Sequence, residues 1–150
     1  MKKNDSLSIR LSLGCVIFFS VLLLAADLTA LKWITVYADW RGITSETFRV
    51  LLCVVFYAAS AAGWLCLWML WKLLKSISAG GVFVMDNVNY LHRISLCCCA
   101  AAVIFIFGGF LYAPVFIPGA AAGFMMLIVN VVESVFRRAV LMQDELDLTI

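Results

Sequence analysis

Three observations predict an all-α integral membrane protein, with four transmembrane helices in an antiparallel bundle and both termini cytoplasmic. The first is the spacing of charge. Between Arg49 and Lys72 lie 22 residues without one, and between Arg93 and Glu133 lie 39 more. A hydrocarbon core about 30 Å thick takes roughly 20 apolar residues of helix to cross, so the first run spans once and the second is long enough to span twice. The second is composition: 65% hydrophobic and 13% charged residues, with a mean hydropathy of +1.08, are too apolar to hide as a soluble core. The third is the uneven division of Lys and Arg between the connecting segments, which sets orientation.

The first span covers about residues 8–33, interrupted by Asp27 and preceded by Lys2, Lys3 and Arg10. That outline also fits a signal peptide, but Leu24 and Leu28 stand where a cleavage site wants small residues, so an uncleaved helix is expected. The second span, 48–74, contains the shorter charge-free run. The longer run must bend, and Pro114, Pro118 and Gly119 supply the bend, because proline removes a backbone donor and disfavours helix in the residue before it. Helices over 94–113 and 118–136 follow, with Pro118 suited to a first helical turn. A cytoplasmic loop, 75–93, and a cytoplasmic tail, 137–150, complete a single domain.

With the N-terminus inside, the inner segments hold Lys2, Lys3, Arg10, Lys72, Lys75, Arg93, Arg137 and Arg138, and the outer ones hold only Lys32, Arg41 and Arg49. This bias favours a cytoplasmic location for both ends. Trp33, Tyr37 and Trp40 then sit at the outer interface and Trp71 at the inner one, where amphipathic rings prefer to lie. A net charge of +2 gives no argument for direct nucleic-acid binding. The six cysteines lie in or beside apolar runs and do not form a secreted disulfide framework.

Lipid is as apolar as leucine, so helices associate through close backbone approach and interhelical hydrogen bonds. Gly119 and Gly123 form a small-xxx-small pair expected opposite Gly108 and Gly109, and residues 58–63 offer a similar face. Packing within the chain is favoured over a homo-oligomer seam. Ionisable and amide groups within spans are functional candidates by default, which singles out Asp27, Asn130 and Glu133. Counted from Arg10, Asp27 lies about 25 Å along its helix, near the outer boundary, where a structural or interfacial role is favoured over a proton or cation site. Glu133 has Arg137 at i+4, the spacing of an ordinary helix ion pair. Asn130 is suited to an interhelical hydrogen bond.

Cys97, Cys98 and Cys99 are consecutive on a helix and point about 100° apart, so they cannot all meet one metal. They read as packing residues before thiol chemistry. Tyr57, Trp64, Trp68 and Trp71 share a helix face that reads as bundle core or lipid contact before a ligand pocket. No phosphate loop, nucleophile elbow, metal signature or carboxylate pair is found, so neither an enzyme nor a cofactor is expected.

The loop is more distinctive. Residues 78–81 stop the second helix, 82–85 are apolar, and Asp86 is placed to cap the next helix. The tail alternates Val140, Leu141, Leu146, Leu148 and Ile150 with Gln143, Asp144, Glu145 and Asp147. Phe83, Asn87, Leu91 and Arg93 in the loop, with Asp147, Leu148 and Ile150 in the tail, are the candidate partner-binding residues. The tail is expected to pack on the loop, its carboxylates near Arg93.

Residues 79–95, with Gly81, Phe83, Asn87, Leu91, Arg93 and Ile94, and the ending Glu145-Leu146-Asp147-Leu148-Thr149-Ile150 resemble the bacterial membrane-protein family catalogued as domain of unknown function 2975. The family pattern is a glycine and phenylalanine before an Asn-x-x-x-Leu-x-Arg-Ile helix, four spans and a terminal Glu-x-Asp-Leu-Thr-Ile or Val. The resemblance implies no reaction. Some members are encoded beside small helix-turn-helix regulators, which implies a signalling or accessory membrane role. Two functions follow: an interaction protein holding a cytoplasmic regulator or a transporter subunit through its loop and tail, and, as the alternative, a small transporter or ligand-binding carrier using Asp27, Asn130 and the tryptophan face.

Overall fold

The computed structural model describes residues 3–42 and 45–149. Four helices, α1 (Lys3–Trp40), α2 (Glu46–Ser78), α3 (Met85–Leu111) and α4 (Phe116–Leu148), account for nearly all of them, and a 3-10 turn, Ala113–Val115, joins the last two. No strand occurs among the described residues. All four helices are long and apolar enough to cross a membrane.

Each helix outruns the span expected for it. Thirty-three residues of α4 make a rod of about 50 Å, against a core of about 30 Å. The expected tail is therefore mostly a continuation of α4, and much of the expected loop is the first turns of α3. Only residues 79–84 separate α2 from α3. Charged residues end the hydrophobic match to lipid without ending a helix, because Lys, Arg and Glu are good helix formers.

The breaks have local causes. Gly80, at φ 93°, follows the α2 C-cap Ala79. Its N–H donates to Ile77 O at 3.1 Å and the Gly81 N–H to Ser76 O at 3.3 Å, the paired bonds of a Schellman ending that requires the left-handed backbone. Asp86 is not the cap expected of it. Met85 already begins α3 from an extended Val84, so Asp86 falls in the first turn, where its charge complements the helix dipole. At the other bend Tyr112 is extended, and Pro118 lies in the first turn of α4, where its missing N–H costs nothing.

Neighbours in sequence are neighbours in space. α1 packs on α2, α2 on α3, and α3 on α4, while α1 meets neither α3 nor α4 along its length. The helical bundle is thus open along one side, and α3, flanked twice, is its most buried member. The close approaches pair Leu23 with Gly63, Val55 with Gly108, Phe105 with Gly119, and Ala102 with Gly123. Gly119 and Gly123 do face α3, but opposite Phe105, Ile106 and Ala102 rather than Gly108 and Gly109. Those two are crowded instead by Val55, Val115 and Phe116. A buried cluster of Leu73, Leu91 and Ile94 joins α2 and α3 near residues 79–84, with Val129 and Phe136 of α4 against it. The molecule has two ends, the loop end with this cluster and the tyrosine end with Tyr37 and Tyr112.

Candidate functional site

At the loop end, the α2–α3 connection is pinned from inside. Asn87 is fully buried, and its Nδ2 donates to Gly81 O at 2.6 Å and to Val82 O at 2.9 Å. Leu91 is buried in the cluster with Leu73 and Ile94. Both therefore hold the loop and cannot present themselves to a partner, which corrects their assignment to the binding surface. What the loop presents is Val82, Phe83, Val84 and Met85, all exposed. Phe83, 49% exposed, stacks at a tilt on Phe136 with ring centroids 5.9 Å apart. Phe136 is the point at which α4 leaves the cluster.

The expected packing of the tail on the loop is not found. An unbroken helix cannot fold back, so beyond the buried Val140 α4 projects with Leu141, Met142 and Leu146 exposed and Leu148 87% exposed. Arg93 is exposed and makes no ion pair among the described residues. Ile150 and the Asp147 side chain lie outside the described residues.

Asp27, Asn130 and Glu133 fall into two separate places. Asp27 joins α1 to α2, its Oδ1 accepting from Ser60 Oγ at 2.6 Å and its Oδ2 from Trp64 Nε1 at 2.9 Å. The Tyr57 hydroxyl donates to the Asp27 carbonyl at 3.2 Å. Asp27 lies within α1, ten residues before Tyr37. Asn130 and Glu133 join α3 to α4. Asn130 Oδ1 accepts from Ser95 Oγ at 2.7 Å. The buried Glu133 accepts from Arg137 at 2.8 Å, the expected i+4 pair, and lies 3.2 Å from His92 Nδ1.

At the tyrosine end the Tyr37 and Tyr112 hydroxyls are in direct contact. Arg41 donates through Nε to the Tyr37 hydroxyl at 3.0 Å and through a terminal nitrogen to the Tyr112 hydroxyl at 3.2 Å. The Tyr37 hydroxyl, and then the guanidinium, hold the Tyr112 phenol below its ordinary value, and the same bonds raise Arg41. Asp39 is bound to Arg49 at 2.6 Å.

The family described as "Protein of unknown function (DUF2975)" matches residues 24–150. The chain belongs to the DUF2975 family. No curated protein and no solved structure matches it. In this DUF2975 chain the Asn87, Leu91 and Ile94 positions of the family pattern are buried at the loop end, so that part of the motif specifies how the loop is held.

Sequence reasoning missed three partners. His92 is one turn from Ser95 on α3 and so shares the face that meets Glu133. Ser60, lost among small residues, is the donor for Asp27, 33 residues away in sequence. The Tyr37–Arg41 pair was visible as an i, i+4 spacing at the end of α1, but Tyr112 gave no sign beyond its place before a proline turn.

Proposed function

We propose that this DUF2975 protein is a non-enzymatic signalling or accessory protein of the bacterial cytoplasmic membrane, its loop end facing the cytoplasm and holding a soluble partner there. The family resemblance suggests a small helix-turn-helix regulator, and a transporter subunit is the other candidate. Orientation rests on the basic residues: Lys72, Lys75, Arg93, Arg137 and Arg138 gather at the loop end. Reporter fusions at residue 84 are expected to be cytoplasmic and fusions near residue 41 external.

One observation carries the reading. Beside the half-exposed Phe83, α4 leaves the bundle as a helix of about two turns beyond Val140, bearing exposed Leu141, Met142, Leu146 and Leu148 among Asp144 and Glu145. Exposed apolar side chains on a projecting, acidic element support an interaction site there. Burying one such Leu is worth about 1.5–3 kcal/mol, against about 0–1 for an exposed ion pair, so apolar contact supplies affinity and the acidic residues favour a basic partner. Affinity capture from gently solubilised membranes tests this. Truncation after Val140, or Phe83→Ser, is expected to abolish capture while leaving membrane insertion intact, and Asp27→Asn to leave capture unchanged.

A small carrier or ligand-binding subunit is the second reading, favoured by the mid-helix Asp27 and its Ser60 and Trp64 donors. It predicts the reverse order, with Asp27→Asn eliminating activity and the α4 extension dispensable.

A further inference from the structure

Because α1 meets neither α3 nor α4 along its length, a cavity of about 570 Å³ lies between α1, α2 and the start of α4. That volume falls within the roughly 300–1,000 Å³ of small-molecule sites. Ala26, Ala30, Trp33 and Tyr37 line it at i, i+4, i+7 and i+11, so one face of α1 forms a wall about 16 Å deep. Phe56, Phe105 and Pro118 stand across from it. The one hydroxyl deep in the lining, Thr29 Oγ1, already donates to Ala25 O at 2.7 Å. The interior therefore asks for no polar contact. α1 and α4 are not in contact, and both are long and apolar enough to cross a membrane, so a gap between them would open toward lipid.

The mouth is chemically different. Tyr37 and Tyr112 both line the cavity and both accept from Arg41. The nearby carboxylate, Asp39, is bound to Arg49, and Arg41 has no carboxylate within ion-pair distance among the described residues. Of the five N–H donors of a guanidinium, those not directed at the phenols remain for another acceptor. A fixed positive charge stands at the end of a laterally open apolar slot.

We propose that this slot binds one acyl chain of an anionic phospholipid, with the phosphate against Arg41. Guanidinium and phosphate form strong charge-assisted hydrogen bonds, and the chain replaces bulk lipid along the α1 wall. Tyr37 and Tyr112 act as positioning residues that hold the guanidinium over the mouth.

The test uses the full-length chain in detergent, with native mass spectrometry and thermal unfolding as readouts. The probes are phosphatidylglycerol, phosphatidylcholine with the same chains, and inorganic phosphate. Phosphatidylglycerol should be retained about tenfold more strongly than phosphatidylcholine, the size of one charged hydrogen bond. Arg41→Gln should erase that preference and Arg41→Lys should keep part of it. Thr29→Phe, which fills the slot from an exposed position, should weaken retention of both lipids while helicity is unchanged. Lys72→Gln with Lys75→Gln, on the loop-end half of α2, should leave the preference intact. Equal retention of the two lipids by the unaltered chain overturns the proposal, as does a preference that survives Arg41→Gln or disappears with the two lysines. Stabilisation by inorganic phosphate equal to that by phosphatidylglycerol also overturns it, since that describes an anion site with no chain.

Discussion

The α3–α4 seam and the α1–α2 seam solve the same problem differently. On the first, Gly119 and Gly123 bring α4 against Phe105 and Ala102, and a polar ladder of Ser95 with Asn130, then His92 with Glu133 and Arg137, continues the contact to the loop end. On the second, Gly63 meets only Leu23, and α1 is tied by Asp27 to Ser60 and Trp64 and by Asp39 to Arg49. In lipid the hydrophobic effect gives helices no reason to associate, so close backbone approach is the stronger device and side-chain hydrogen bonds the weaker. α4 is packed down. α1 is pinned at points, with a cavity left beside it.

That contrast breaks most readily at Gly119. A Cβ there would already lie 3.1 Å from Phe105 Cβ and 3.4 Å from the Ile106 backbone, neither of which can swing aside. Gly119→Leu should destabilise the solubilised protein by about 1–3 kcal/mol or more, and Gly119→Ala by less. Gly14, where an added Cβ would meet nothing within 4 Å, should accept Leu silently. Denaturation in mixed detergent would show whether the two positions differ; equal effects would mean that the α4 face meets lipid.

Removing the carboxylate of Glu133 should cost next most. Glu133→Ala removes the buried carboxylate that His92 and Arg137 share, and because those two side chains are half exposed and can turn to water, the expected loss is about 1–2 kcal/mol by the same assay, below the roughly 1.5–3 of a fully desolvated charged hydrogen bond. Asp27→Ala on the α1–α2 seam should cost less, about 0.6–1.7 kcal/mol, the range of interhelical hydrogen bonds in a membrane. A loss there exceeding that at Glu133 would reverse the ranking of the seams. The smallest effect is spectroscopic. With Tyr37 and Arg41 holding Tyr112 below its ordinary range, absorbance titration should show an early phenol ionisation that vanishes in Tyr112→Phe and moves up in Arg41→Gln.

Three of the four spans were legible because absence of charge over 22 and 39 residues has one physical reading at this composition, and the first was read from its apolar flanks in spite of Asp27. Helix ends were not, since the cue was charge, and charge marks where lipid stops. Met85 to Arg93 and Arg137 to Leu148 are both charged and both helical. Glu133 with Arg137 could be read from i+4 spacing, but His92 required the register of α3 on α4. The same register, offset by the extended Tyr112 and the Ala113–Val115 turn, puts Phe105 rather than Gly108 opposite Gly119. Phe83 was marked as an apolar residue in need of cover, which it finds in Phe136 on one side only. Asn87 and Leu91 were marked by motif, and a motif does not distinguish a residue that binds from one that holds a loop in place.

The most direct test of the interaction reading is site-specific photocrosslinking in living cells. A photoreactive side chain at Leu146, on the projecting part of α4, is compared with one at Leu28, 75% exposed on α1 at membrane depth. The interaction reading predicts a discrete adduct with a soluble protein from position 146 and none from position 28. Adducts from position 146 that contain only a second copy of the chain, or no protein adduct at either position, would contradict it.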